Sequence, residues 1–358
     1  MSATTLLIIL INLWAAFIAP PFIRTFAVLL SFCARDPVVQ AGEDVKRFPI
    51  LFYDTMTQIT ASLIEHNNDD TLVVNAARAS FAHTADQYTG DQNKKLINFL
   101  AKHDHWTPFS HPRFTFLLAP EQIDLWELSP TDVAGMAWQR ADHGCILVRH
   151  SFHGWVNLMR RFSIPEAQQT LRYKLPTSYA AYGLSPRVVA NDHSTTHAHP
   201  DFIDETFLSE VPIFVARQEF KHMIGATRNE RSGRYVSTDI EYYTPTEWRN
   251  KPDGSVKQGS GGVSTYSEHI VNTIYPELIN DADGTYEWLI HRDVAAEQAR
   301  MVLPQSMMTS YYTTGSISMW KRLIDQRLND PNAQREIRDY ADLIHAALTD
   351  KYGTNIEV

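Results

Sequence analysis

Residues 211–235, VPIFVARQEFKHMIGATRNERSGRY, hold the side chains best suited to chemistry. Arg217, Lys221, Arg228, Arg231 and Arg234 face only Glu219 and Glu230 within that stretch, although the whole chain carries a formal net charge of -9. His222, Asn229, Ser232 and Gly233 are interleaved among them. A cationic, hydrogen-bond-rich segment in an acidic protein suits small anions, phosphates above all. Nucleic acid would need a broader basic face, so no nucleic-acid partner is expected.

The element that must position these groups reads as a helix. Pro212 suits a first helical residue, and Ile213, Phe214, Ala216 and Phe220 supply an apolar stripe. Gln218, Lys221 and His222 then fall at i, i+3 and i+4 on one face. Gly225 is the expected stop, and the helix C-terminus favours the cationic Lys221 and His222. Gly233 permits a close backbone approach in the N-E-R-S-G-R-Y run that follows.

These residues resemble the signature of the flavin-dependent thymidylate synthases. That signature is an Arg-His-Arg triplet in a helix containing Arg-Gln-x-Phe, followed by Asn-Glu-x-Ser-x-Arg-Tyr. Here the triplet is Lys221-His222-Met223, and the spacer to Ser232 is one residue longer. Lys221 keeps the charge but not the planar fork of Arg, and Met223 loses both. Further blocks match in order: Asp69–Phe81 as a first strand and helix, Lys102–Phe116, Glu241–Arg249, Ala296–Pro304 and Leu323–Ala341.

The resemblance implies FAD contacts at Ser80, His105, Thr107, Lys221, His222, Met223, Ile224, Asn229, Glu230, Ser316, Ser318 and Arg322. It implies dUMP contacts at Gln218, Lys221, Glu230, Arg231, Ser232, Gly233, Arg234 and Arg300. Arg327 matches the arginine that stabilises ionised uracil and is the catalytic candidate; pairing with Asp330 or Glu336 is its structural alternative. Gly315-Ser316 reads as a phosphate seat at a helix N-terminus. The implied reaction is reductive methylation of dUMP, with methylenetetrahydrofolate as one-carbon donor, NADPH as reductant and a homotetrameric enzyme. A degenerate homologue that binds nucleotide or flavin without turnover is the alternative. The residues themselves favour a route without a protein nucleophile, because neither Cys33 nor Cys145 lies among the matching blocks.

The expected fold is α+β, a central, mostly antiparallel sheet flanked by helices. In typical members the FTF strand runs almost directly into the VPIFVARQ helix; here residues 118–210 intervene, enough for an inserted subdomain. Within it Ser129–Asp142 reads as a helix and Cys145–Phe162 as a strand leading into a helix. His193, His197 and His199 read as loop histidines, with no metal expected. Asp253–Ser264 is Gly/Ser-rich and reads as a mobile surface loop.

With 358 residues, 44% hydrophobic and 20% charged, the chain can bury a substantial core. Two cysteines exclude a disulfide scaffold and fit a reducing cytoplasm. Residues 1–55 form a hydrophobic leader with no charge before Arg24. An anchor, a packed hairpin and translated upstream sequence compete for it, and the last is preferred, because Met56 begins the chain as family members begin. The catalytic domain is accordingly expected over residues 56–350.

Overall fold

Two antiparallel sheets organise the chain in the computed structural model, which describes residues 58–81, 83–128, 135–184, 192–231, 240–252 and 259–353. The hydrophobic leader, Ser232, Gly233, Arg234 and the first half of the Gly/Ser-rich run, residues 253–258, lie outside the described residues. The larger sheet has strand order β1-β5-β7-β6, formed by Thr60–Ile64 (β1), Asp204–Pro212 (β5), Met308–Ser316 (β7) and Ala226–Glu230 (β6). The smaller has order β2-β4-β3, formed by Arg113–Leu118 (β2), Ile146–Ser151 (β4) and Ala137–Arg140 (β3). Every pairing is antiparallel, so the α+β expectation holds.

Each sheet closes over its own helices. Helix α9 (Arg335–Tyr352) buries Ile337, Tyr340, Ala341, Ile344 and Leu348, an apolar stripe at helical spacing. That stripe joins Phe207 and Val211 of β5 and Trp320 of α8 (Ile317–Arg327) in one core. In the second core Val73 of α1 (Asp70–Arg78) and Ile97 of α2 (Gly90–Lys102) meet Phe116 and Val148 of the smaller sheet. Trp155 of α3 (Phe152–Met159) and Leu171 of α4 (Pro165–Lys174) complete it, with Tyr179 of α5 (Pro176–Ala181) at its margin.

Among the described residues, 118–210 build no core of their own. Strand β4 sits between β2 and β3, helices α3–α5 share the core of α1 and α2, and β5 is a central strand of the larger sheet. The described part of the segment contributes to both layers, since Val148, Trp155 and Leu171 join the core of α1 and α2, and Phe207 joins the core of α8 and α9.

Three local readings change. Ser129–Asp142 does not read through as a helix: Ala137–Arg140 is strand β3, paired with Ile146–Arg149 through a hairpin with His143 and Gly144 at φ 56 and 79. The free edge of β4 decides the conformation of AWQR against its own weak preference. Asp69–Phe81 holds no strand, since the Asp69 carboxylate caps α1 by accepting from the Thr71 amide at 2.9 Å; the first strand lies upstream. The helix expected from Pro212 to Gly225 is shorter. Pro212 ends β5, helix α6 covers only Ile213–Glu219, and a turn runs from Phe220 to Gly225 (φ +81). Among the described residues no helix is long and apolar enough to cross a membrane.

Candidate active site

Edge strand β6 divides the candidate site into two faces, because side chains alternate along a strand. Arg228 and Glu230 point to the α6 face, whereas Thr227 and Asn229 point to the smaller sheet.

On the α6 face, the fully buried Glu219 accepts both Arg228 Nε at 2.8 Å and an Arg228 terminal nitrogen at 2.9 Å. The same guanidinium donates to the carbonyls of Glu219 at 3.3 Å and His222 at 2.7 Å. This pair explains the early end of α6: the turn after Glu219 is pinned to β6 through its own carbonyls. Lys221 and His222 therefore leave the helix surface, and the shared face with Gln218 is lost. Lys221 is exposed in the turn, while Gln218 donates to Gln334 Oε1 at 2.9 Å. That bond edges a cleft of about 570 Å³ walled by Phe214, Tyr243, Trp248 and Tyr275. Its volume is in the range of small-molecule sites.

His222 accepts at Nε2 from Arg327 Nε at 3.1 Å. Burial, and then the charges of Arg327, Arg228 and Arg322, push its pKa down to about 4, so the ring is neutral at pH 7 with its proton on Nδ1. Arg327 does not pair with Asp330 or Glu336; Glu336 is taken by Arg249 at 2.7 Å. Among the described residues Arg217, Lys221, Arg300, Arg322 and Arg327 have no carboxylate partner within salt-bridge distance. Arg300 is exposed and its Nε donates to the Glu297 carbonyl at 3.3 Å.

Glu230 Oε1 accepts from the Thr309 hydroxyl at 2.9 Å. Burial raises its carboxyl above the usual range, opposed by that bond and by the charges of Arg217 and Arg300. Arg231 extends the pairing through its N–H to the Ser310 carbonyl at 2.7 Å.

On the other face, the Ser80 hydroxyl donates to the Glu230 carbonyl at 3.1 Å, tying the end of α1 to β6. Asn229 Oδ1 meets His111 Nε2 at 3.1 Å. His105 is exposed with its ring edge on Phe99, and Thr107 is half-buried before the turn Pro108–Ser110. Met223 is 70% and Ile224 79% exposed, and the Ile224 carbonyl accepts from Arg322 at 2.7 Å. The phosphate seat expected at Gly315-Ser316 is closed. Ser316 is buried, its hydroxyl caps α8 by accepting from the Met319 amide, and Gly225 packs over it. Ser318, half-buried, and exposed Arg322 remain at that helix.

The sequence reading missed two buried residues in SHPRF. Arg113 donates to Asp204 at 2.9 Å, to the carbonyls of Gly225 and Thr314 and to the Thr227 hydroxyl, locking β2 to both β6 and β7. His111 bonds Thr314 at 2.7 Å on its other nitrogen. Histidine and arginine flanking a proline look like a solvated loop, and most of their partners lie more than a hundred residues away.

Burial holds the His111 pKa at about 3. The unfolded chain, with an ordinary histidine pKa near 6.5, binds its proton first as pH falls, so stability is present above pH 6.5 and lost between 6.5 and 3. Urea unfolding should show the wild-type chain losing about 2 kcal/mol more than His111→Gln between pH 7 and pH 5. Equal losses would place His111 in contact with water.

This α+β architecture is that of a defined class. The family model described as thymidylate synthase complementing protein matches residues 62–122 and 152–352, skipping only the β3–β4 hairpin region. The flavin-dependent thymidylate synthase of Aquifex aeolicus is 30% identical over 310 residues, covering 77% of this chain and 92% of that protein. Its counterpart in Thermus thermophilus is 35% identical over 153 residues, 42% of this chain and 55% of the relative. A solved UMP/dUMP methylase, PolB of Streptomyces cacaoi, aligns with a TM-score of 0.41 at 19% identity over 82% of this chain and 90% of that one. The chain belongs to the flavin-dependent thymidylate synthase family.

Proposed function

We propose that the chain methylates dUMP reductively to dTMP: dUMP, methylenetetrahydrofolate, NADPH and a proton give dTMP, tetrahydrofolate and NADP⁺. The carrying observation is the set of cations without a carboxylate partner around β6 and the turn before it, Arg217, Lys221, Arg300, Arg322 and Arg327, in a family whose named members are flavin-dependent thymidylate synthases. Arg217, Arg300 and Lys221, with Arg231 and the neighbouring Ser232, Gly233 and Arg234, would hold the nucleotide phosphate and sugar, and Gln218 and Glu230 would orient it. Arg327, hydrogen-bonded to the neutral His222 and to no carboxylate, would bring an uncancelled positive charge to the uracil ring as negative charge develops there.

The flavin, when bound, supplies the redox chemistry. The residues fit it: among the described residues both amide N–H groups of Asn229 and the guanidinium charge of Arg322 have no acidic partner, as an acceptor-rich ring and a pyrophosphate require. His105, Thr107, Ser80, Ser318 and the backbone of Met223 and Ile224 complete the contacts. The homotetramer and cytoplasmic placement belong to the same reading.

No protein nucleophile is needed. Cys145 is half-buried in the β3–β4 hairpin, inside the stretch that the family model skips. Cys145→Ala should therefore turn over dUMP within a few-fold of wild type, and the purified protein should be yellow. Loss of turnover in a folded Cys145→Ala protein would refute the mechanism. One observation favours binding without turnover: Met223 is an exposed apolar side chain where the family signature carries Arg. A yellow protein that makes no dTMP would select that reading.

A further inference from the structure

A chain of hydrogen bonds leads from His66, just past β1, to Asn229, and one direction makes every link a donor–acceptor pair. The backbone N–H of Asn68 donates to His66 Nδ1 at 3.3 Å, which leaves the His66 proton on Nε2. That N–H meets the Thr206 hydroxyl at 2.8 Å. The Thr206 and Thr314 hydroxyls lie 2.7 Å apart, and with Asn229 Oδ1 facing His111 Nε2 the direction that pairs a donor with an acceptor at every link has Thr206 donating. Thr314 in turn donates to His111 Nδ1 at 2.7 Å. His111 Nδ1 is then the acceptor, so Nε2 carries the proton and donates to Asn229 Oδ1 at 3.1 Å. Each hydroxyl and ring gives one hydrogen bond and takes one. Thr206, Thr314 and His111 are all buried, so water cannot substitute in the middle links.

We infer that His111 is a positioning residue for the flavin: through its Nε2–H it fixes the Asn229 amide with the oxygen inward and both N–H groups toward the cofactor side of β6. The opposite amide orientation would set an N–H against an N–H in a partly buried contact, leaving both without an acceptor. A flavin ring edge rich in acceptors would then meet the Asn229 carbonyl instead of its donors. The flavin as occupant rests on the functional reading above; the direction of the chain rests on the geometry alone.

Two substitutions at one position separate positioning from packing. Glutamine places an amide nitrogen near the site of Nε2 and keeps a donor for Asn229; asparagine reaches only the Nδ1 position and cannot. FAD titration of the apoprotein, followed by flavin fluorescence, should show His111→Gln within about threefold of wild type and His111→Asn weaker by about tenfold. Thr314→Val keeps the volume and removes the bond to Nδ1; it should admit the second His111 tautomer and weaken FAD by about threefold. ¹⁵N-histidine spectra of the wild-type chain at pH 7 should show His111 protonated at Nε2.

Equal FAD affinity for His111→Asn and wild type, equal losses for the Asn and Gln variants, or an Nδ1-protonated His111 would each overturn the inference. If His111→Asn does not fold, unchanged FAD affinity and tautomer in Thr314→Val overturn it instead. A wild-type chain that binds no FAD would refute the flavin as the target of Asn229, while the tautomer would still decide the direction of the chain.

Discussion

Arg327→Ala is expected to lower kcat for dTMP formation roughly 100-fold while changing the KM for dUMP far less. The guanidinium stands at the C-terminal end of α8, where the helix dipole favours a cation. Its partner is the neutral His222, so its charge is not cancelled locally. An interaction that grows as negative charge develops on the uracil ring is spent in the transition state, and so appears in kcat. Removing one preorganised donor from an oxyanion hole costs about 2.7–4 kcal/mol, and a cation at the uracil ring acts in the same way. Arg327→Lys should recover part of the loss, since it keeps the charge but not the fork. The variant should also release His222: with the nearest guanidinium gone, its pKa should rise from about 4 toward the ordinary histidine value, visible by NMR. If kcat is unchanged and only Tm falls, Arg327 is a structural residue and the catalytic assignment fails.

What could be read before the structure was what local chemistry dictates. CILVRHSF declares strand β4 by its β-branched residues, and Ser151 then caps α3, accepting from the Gly154 amide at 3.2 Å. The residues around β6 were legible because their types are unusual together in an acidic chain. Their geometry was not. The end of α6 at Glu219 depends on a carboxylate buried against Arg228 from the next strand. The closure of the Ser316 seat depends on Gly225 packing from the turn before β6. His111 and Arg113 read as loop because nothing near them in the chain satisfies their side chains; Thr314 and Asp204 do so across the fold. A period or a motif carries no information about such pairings.

Arg228→Ala should be among the most destabilising single changes near the site. Glu219 is fully buried, and Arg228 bonds both its oxygens. Burial already raises the Glu219 carboxyl, with Arg228 opposing the rise. Removing the guanidinium leaves an uncompensated buried carboxylate and two carbonyls, Glu219 and His222, without their donor. Breaking a buried pair in this way costs about 3–5 kcal/mol, which for a chain of this size is a Tm drop on the order of 10 °C. The Glu219 carboxyl, losing its partner, should shift up further, so the loss should be larger at pH 8 than at pH 6. Replacing both partners, Arg228→Met with Glu219→Leu, should recover most of the stability, because two apolar side chains leave no buried charge. It should not recover function. The turn from Phe220 to Gly225 would still lack the bond at the His222 carbonyl, and His222 would lose its fixed placement beside Arg327. Thermal melts and dUMP kinetics on the single and double variants therefore separate two roles of one ion pair. A single variant melting within about 2 °C of wild type would show that Glu219 is hydrated and that something else ends the helix.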